Sequence, residues 1–380
     1  MRRGFIKGAL CGALAMLLVV GLGEFLFLDK NGTVIDTATK LKLESIQAVI
    51  NREFFYKDNI DEDLMREYAI KGYVDGLGDP YSVYYNVEET KELLETTSGE
   101  FTGIGVSITQ DPETKYVKIV NVYKDSPGEK AGLLADDIIY KVDGEDVTSL
   151  DIDQVASKIR GEEGTSVEIV VFRGANYEEF ATSATRARIE IQSVEYEMKE
   201  DNIGYIAVSA FEGTTTDQFK NAIVDLQDQG MRGLVIDLRN NPGGNLSTVV
   251  EMCDLILPKG IIVYTKTIND KEEYFYSDED QKLEIPIAVL INGNSASASE
   301  IFAGAIQDYE WGTIVGTTSF GKGIVQKLYQ MPDGTCLKMT ISEYFTPNGR
   351  NIHGIGIEPD VVVEYEYDDN QLESAMECLK

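Results

Sequence analysis

Histidine is nearly absent: the 380 residues contain one, His353. That excludes zinc sites built on two or three imidazoles and the H-E-x-x-H arrangement. It also leaves any serine–histidine–aspartate triad a single candidate base. The four cysteines stand far apart, at positions 11, 253, 336 and 378, with no C-x-x-C pair, so neither a zinc ribbon nor a disulfide framework is implied. Basic residues are scarce relative to acidic ones: 34 Lys+Arg against 65 Asp+Glu give a net charge of −31. Such a balance argues against a nucleic-acid partner, because phosphate contacts need a concentrated basic surface. With 43% apolar and 26% charged residues the composition is that of a folded protein, long enough for two or three domains at about 150 residues each. A hydrolase of this composition is expected to work without imidazole.

An apolar run long enough to span a bilayer occurs only at the N-terminus. Arg2, Arg3 and Lys7 precede an uncharged stretch from Gly8 to Gly23, which continues through Glu24 into Phe25-Leu26-Phe27-Leu28. The segment 8–28 matches the thickness of a bilayer's hydrocarbon core. The leading positive charges predict a cytoplasmic N-terminus with the rest outside, and no small-residue cleavage site follows. Residues 1–29 therefore read as a signal anchor, and the protein as single-pass in the cell membrane with an extracytoplasmic body. Residues 30–98 read as helical. Leu41, Leu43, Ile46, Val49 and Ile50 predict a helix over 35–54, and Leu64, Tyr68, Ile70 and Val74 another over 61–74. Gly76, Gly78 and Asp79-Pro80 end the second, and an acidic segment follows over 87–97. These helices are expected to link the anchor to the domains or to pack as a homodimer surface.

From Phe101 the apolar period changes to two, as in strands, along Gly105-Val106-Ser107-Ile108 and Val117-Lys118-Ile119-Val120. Next come Ser126-Pro127-Gly128, Ala131-Gly132-Leu133, Asp137-Ile138-Ile139, Val142-Asp143-Gly144, a short helix near 151–160 and a strand over 166–173. This series, taken as residues 99–184, resembles a PDZ domain. The resemblance makes Gly103-Ile104-Gly105-Val106 the carboxylate-binding loop, whose backbone N–H groups would hold a peptide's C-terminus while the peptide adds a strand beside Gly105–Ile108. Arg160, at the end of the expected PDZ helix, is placed to sense an occupied groove or is simply a solvated helix-end cation.

Residues 185–367 alternate short apolar strands with helices: strands at 203–209, 232–238, 287–291 and 313–315, helices at 215–229, 245–256 and 298–307. Continuous apolar strands predict a layered α/β domain whose sheet is covered on both faces, and residues 368–380 read as an acidic tail. The strand at 287–291 runs through Asn292-Gly293-Asn294 into Ser295-Ala296-Ser297-Ala298-Ser299-Glu300. A serine at such a strand-to-helix turn lies at the positive end of a helix dipole beside free N–H groups, which suits a nucleophile whose attack creates an oxyanion. Ser297-x-x-Glu300 is equally a capping box, and this segment alone does not choose among its three serines.

Two further segments bear on that choice. Asp237-Leu238-Arg239-Asn240-Asn241-Pro242-Gly243-Gly244 ends a strand in a glycine turn able to direct N–H groups at a bound carbonyl. Lys322 sits between Gly321 and Gly323, with Gln326 on the same face if the chain is extended. A lysine is a general base only when neutral, which requires burial to lower its pKa by roughly 3 units, or about 4 kcal/mol. The same stretch fits G-x-x-x-x-G-K, but Gly323 occupies the position where a P-loop needs Ser or Thr, and strand-like residues follow.

From about Leu41 to Val363 the chain resembles the carboxy-terminal processing, or tail-specific, serine peptidases. The landmarks are Gly78-Asp79-Pro80-Tyr81-Ser82, the PDZ series, Leu238–Gly244, Ser295–Glu300, Phe320–Gly323, Thr346–Arg350 and Gly354–Asp360. The resemblance implies a Ser/Lys dyad with Ser297 as nucleophile, Lys322 as general base and Gln326 as its orienter. It further implies an oxyanion hole from the N–H groups of Ala298 and one glycine of the Gly243-Gly244 pair, Gly244 in preference to Gly243, and no metal or organic cofactor. The expected fold is an α/β layered peptidase core with an inserted PDZ domain, mostly β with short helices, and an N-terminal helical region after a membrane anchor. The expected activity is endopeptidase cleavage of proteins with accessible C-terminal tails; a PDZ binding protein with a silent peptidase-like scaffold is the alternative. Gly128 and Tyr81 depart from the family's frequent Ala and His, and neither is expected to touch the chemistry.

Overall fold

A computed structural model describes residues 34–278 and 283–380. The expected anchor, residues 1–29, lies outside them, and among the described residues no helix is long and apolar enough to cross a membrane. Contacts divide the chain into two units at Tyr68/Ala69. The first contains helix Thr37–Glu53, capped by the Asp36 carboxylate on Thr39 N–H, with none of its side chains buried. Helix Glu62–Asp75 begins in this unit and ends in the next.

In the second unit, the PDZ series forms a sheet in which Val106–Gln110, Val117–Val122, Ile138–Val142, Ser166–Arg173 and Glu178–Thr185 are neighbours in that order. Ile104, Ile119, Ile139, Val155, Val167 and Ile169 fill its core. Helix Ile152–Ile159 starts in a capping box between Asp151 and Gln154, which satisfies two N-terminal backbone donors.

The region that follows the PDZ series is built on a six-stranded sheet. Its order is Val194–Met198, Ile203–Val208, Gly233–Asp237, Ile287–Ile291, Thr313–Gly316 and Val361–Val362. The first pair is antiparallel and the rest are parallel. All residues of Gly233–Asp237 and Ile287–Ile291 are buried, which explains why these strands read as unbroken apolar runs. The two faces divide by alternate residues. Leu234, Ile236, Ile287, Val289 and Ile291 pack with Phe219, Phe302 and Ile306 of the helices, each large side chain contributing about 1.5–3 kcal/mol relative to exposure. Val235, Ala288, Leu290 and Val315 pack instead with Ala375.

That second contact corrects the reading of residues 368–380 as an acidic tail. Asn370–Glu377 is a helix with Gln371 and Ala375 buried, and it covers the sheet's other face. Its acidic residues masked an apolar stripe at 372, 375, 376 and 379. The sequence reading also missed a five-stranded antiparallel sheet, in which the long strand Cys336–Phe345 pairs with Val83–Tyr85, Gly260–Thr267 and Ile324–Gln330, and Glu272–Ser277 pairs with Gly260–Thr267. Tyr, Lys, Thr and Glu on its exposed face interrupt the apolar pattern. This sheet brings residues 79–85 beside 322–326.

Candidate active site

Strand Ile287–Ile291 ends in a turn tied to the neighbouring strand end. Asn292 accepts from Asn240 N–H, and Ser295 Oγ donates to Leu238 O at 2.8 Å. Ser299 Oγ reaches Asn241 O at 2.9 Å. Of the three serines, Ser295 and Ser299 are thus fully buried and spent on holding the two turns together, which leaves Ser297 at the cleft surface. Ser297 has φ 55° and ψ −112°, a conformation that disfavours a side chain and is held by its surroundings. Helix Ala298–Asp308 starts immediately after it.

The expected capping partner, Glu300, does more than cap. Its carboxylate is fully buried and accepts four bonds: Ser297 N–H at 2.8 Å, Lys322 N–H at 2.8 Å, Gly321 N–H at 2.6 Å and Ser319 Oγ–H at 2.6 Å. The cap and nucleophile readings are therefore compatible, since the cap fixes the serine's backbone. Tyr344, also buried, donates its O–H to Ser297 O at 3.0 Å.

Glycine 243 and glycine 244 adopt φ 105° and 151°. A Cβ on Gly243 would lie 2.8 Å from Ser297 Cβ and 3.0 Å from Ala298 N, and one on Gly244 would lie 2.2 Å from Phe211 O. Only glycine permits both the dihedrals and this approach. Gly243 N–H is engaged by Asn241 Oδ1 at 2.9 Å. The N–H groups of Gly244 and Ala298 have no acceptor among the described residues.

One cleft of about 380 Å³ is lined by Ser297, Ala298, Gly243, Gly244, Lys322, Gln326 and Lys338. Gln326 Nε2 lies 3.4 Å from Thr340 Oγ1. Lys322 is half-buried, and its pKa lies below the usual lysine value. Burial is the main cause and the Lys338 charge adds to it, against the opposing pull of Glu300 and Asp79. The elements around Lys322 thus favour the neutral amine. Leu93, Thr96 and Thr97 of helix Val87–Ser98 close another side of the cleft.

Tyr81 requires a correction, because its ring reaches Lys322. Lys322 Nζ lies 4.8 Å from its ring centroid. The turn carrying it is fixed by Ser82 Oγ–H to Asp79 at 2.6 Å and Tyr81 N–H to Asp79 at 3.1 Å, and it docks through Thr340 N–H to Ser82 Oγ at 3.1 Å. The Asp79-Pro80-Tyr81-Ser82 motif was visible in the sequence as a turn, but nothing local placed it 240 residues away in the chain, beside Lys322. Gly128 stays away from the cleft; its N–H donates to Ile104 O at 2.6 Å, supporting the PDZ loop. His353 is exposed and does not line the cleft.

The four residues of the PDZ loop do not act as one unit. Gly103 ends strand Glu100–Gly103, paired with Ala187–Glu190, and the Ile104 side chain is buried in the PDZ core. Gly105, at φ 74°, and Val106 open the edge strand Val106–Gln110, whose outer edge has no strand partner among the described residues. Arg160 caps helix Ile152–Ile159 and lies 3.5 Å from Glu95 and 3.9 Å from Glu92.

Comparison with known proteins places these features in a wider setting. Residues 202–363 match Peptidase family S41, and residues 118–173 match a PDZ domain. A "Probable CtpA-like serine protease" of Staphylococcus haemolyticus is 39% identical over 325 residues, covering 85% of this chain and 64% of that protein. The chain thus spans slightly less than two thirds of that relative's length. A protein of the same name from Staphylococcus aureus strain MRSA252 is 35% identical over 370 residues, or 96% of this chain and 73% of that protein. Among solved structures, the photosystem II D1 C-terminal processing protease is similar, with a TM-score of 0.51 and 29% identity over 91% of this chain and 98% of that one. The matched region 202–363 encloses the glycine turn, the Ser297 helix and Lys322–Gln326, and with the similarity continuing through the PDZ domain, the chain belongs to peptidase family S41.

Proposed function

We propose that the protein is a serine endopeptidase acting through a Ser297/Lys322 dyad on proteins whose C-terminal tails its PDZ domain captures. The observation that carries this reading is the convergence of Ser297, Lys322, Gln326 and the unengaged N–H groups of Ala298 and Gly244 on one cleft. Neutral Lys322 takes the Ser297 hydroxyl proton as Oγ attacks the scissile carbonyl. The carbonyl oxygen becomes an oxyanion, to which Ala298 and Gly244 N–H donate. Protonated Lys322 then gives its proton to the leaving amine as the C–N bond breaks, producing an acyl-enzyme that water hydrolyses by the same proton relay. Gln326 orients the amine without stabilising its charge. A peptide's last residues would extend the PDZ sheet along Val106–Gln110, with its carboxylate at Gly105 and Val106 N–H.

The apolar segment 8–28 supports anchoring in the cell membrane with the body outside, which alkaline carbonate extraction of membranes tests. The exposed Leu41, Ile46 and Val49 of helix Thr37–Glu53 suit a second copy of the chain, which analytical ultracentrifugation tests.

The deciding experiment is cleavage of an unfolded protein such as casein by the purified chain beside Ser297→Ala and Lys322→Ala. Both variants should lose at least about 10³-fold in turnover and keep the unfolding temperature of the parent. Normal turnover by either would remove the dyad. An inactive parent that still binds tail peptides would favour a silent scaffold.

A further inference from the structure

The cleft contains a second lysine that the dyad leaves unassigned. Lys338 stands on strand Cys336–Phe345, opposite Leu328 on one side and Val83 on the other. It shares a strand face with Thr340, the hydroxyl beside Gln326 Nε2. Its ammonium lies 5.4 Å from the Tyr85 ring centroid, as that of Lys322 lies 4.8 Å from Tyr81. One short segment, Tyr81 to Tyr85, therefore lies against both ammonium groups, and both lysines line the same cleft. Among the described residues neither has a carboxylate within ion-pair distance.

We propose that Lys338 acts on the reaction through Lys322: its charge in the shared cleft opposes a second positive charge there and so keeps the base neutral. This rests on Lys322 being the base. The groups facing Lys322 are Lys338 from the long strand, Glu300 from the Ser297 helix, and Asp79 and Tyr81 from the docked turn; Glu212 and Tyr344 also line the cleft. The two carboxylates favour a charged Lys322, so burial alone works against opposition that Lys338 offsets. A neighbouring cation is a recognised way of holding an active-site lysine unprotonated. The Lys338 ammonium faces the Tyr85 ring and not a carboxylate, which would cancel its effect on Lys322.

The test is the pH dependence of kcat/KM for peptide cleavage by the full chain, its Lys338→Met, Lys338→Gln and Lys338→Arg variants, and Lys322→Ala. Removing the Lys338 charge makes Lys322 easier to protonate, so the acid limb moves to higher pH. The neutral variants should lose about 5- to 10-fold more activity on the acid limb than on the plateau, an effect expected for one charge at this range. Lys338→Arg should restore the parent limb. The rate at which a small fluorophosphonate labels Ser297 should show the same displacement, because that reagent makes no extended substrate contacts. An unmoved limb, or an equal loss at every pH, overturns the proposal, the second result marking a substrate contact or a packing role. An active Lys322→Ala enzyme would instead overturn the dyad itself, so the two failures are distinguishable.

Discussion

Ser297 and Lys322 hang from the same carboxylate oxygen: Glu300 Oε2 accepts both their backbone N–H groups, each at 2.8 Å. The two residues lie 25 positions apart in the chain and on different elements, yet neither backbone can shift without stretching a bond to the other's acceptor. The second oxygen, Oε1, holds Gly321 N–H and Ser319 Oγ–H, so the loop that delivers Lys322 is held along four residues. A buried carboxylate with four donors is fully compensated for its burial. The arrangement sets the spacing of Ser297 and Lys322 through main chain.

Glu300→Gln tests this role. The amide retains the volume but presents an NH2 group to donors, so at least one of the four bonds must be replaced by a donor–donor contact. Turnover should fall about 10²-fold, the scale of a small misplacement in an active site, with a smaller effect on KM. Glu300→Ala should in addition destabilise the fold by about 3 kcal/mol or more, since four donors, two of them in fully buried bonds, lose their acceptor. Unchanged kcat in Glu300→Gln, measured beside thermal unfolding, would show that the shared oxygen does not govern the dyad.

The depressed pKa of Lys322 makes a signed prediction. In the proposed mechanism the working form is the neutral amine, so kcat/KM should rise with pH through the Lys322 ionisation, and the rise should occur below the range of an ordinary lysine because burial and Lys338 disfavour the charge. Lys322→Arg stays cationic at every accessible pH and should be as inactive as Ser297→Ala throughout. A profile from pH 5 to pH 10 that is flat, or that falls as pH rises, contradicts a lysine base.

Much of this site was legible because its parts are local. The strand Ile287–Ile291 is an unbroken apolar run, and the Ser297 turn and the glycine pair advertise themselves by residue type. What could not be read is tertiary. Glu300 looked like a helix cap, and only the fold adds the three donors from residues 319–322. Tyr81, in the turn before strand Val83–Tyr85, and Lys338 are brought to the cleft by the second sheet, whose mixed polar strands have no clear period. The C-terminal helix was hidden for a related reason, because Glu364, Glu366, Asp368, Asp369, Glu373 and Glu377 dominate the composition around Leu372 and Ala375.

That helix is also clamped to the glycine turn. Arg239, just before Asn240–Gly244, binds Asp237 at 2.6 Å and Asp369 at 2.6 Å, and Asp369 caps the helix through Leu372 N–H at 3.2 Å. The Arg239 guanidinium holds the Asp369 carboxyl below its ordinary range. The associated stability is present above the ordinary aspartate pKa and is lost as pH falls through the depressed folded value. Asp369→Asn should cost about 1 kcal/mol, because this carboxylate is 36% exposed and partly screened. The variant should also lose part of the stability difference that the parent shows between pH 6 and pH 3. Equal acid sensitivity of the two proteins in denaturant titrations would mean that the clamp is not stabilising.

Arg160 supplies the last prediction. Its partners Glu92 and Glu95 belong to helix Val87–Ser98, and Leu93, Thr96 and Thr97 of that helix line the active-site cleft. One face of the helix therefore meets the end of the PDZ helix while another lines the cleft, so a shift of Arg160 on peptide binding would be felt directly at the cleft wall. Gly99, at φ 75°, ends the helix and opens the chain into the PDZ domain, giving the junction a backbone that other residues rarely adopt. If this contact couples the two domains, Arg160→Ala should change the ratio of tail-stimulated to basal cleavage by about 5-fold or more, within the usual range of coupling free energies, while tail-peptide affinity measured by fluorescence polarisation changes by no more than that factor. A surface ion pair of these lengths contributes little to stability, so the unfolding temperature should hardly move. An unchanged stimulation ratio would reduce Arg160 to a solvated helix-end cation and leave the helix as a passive wall of the cleft.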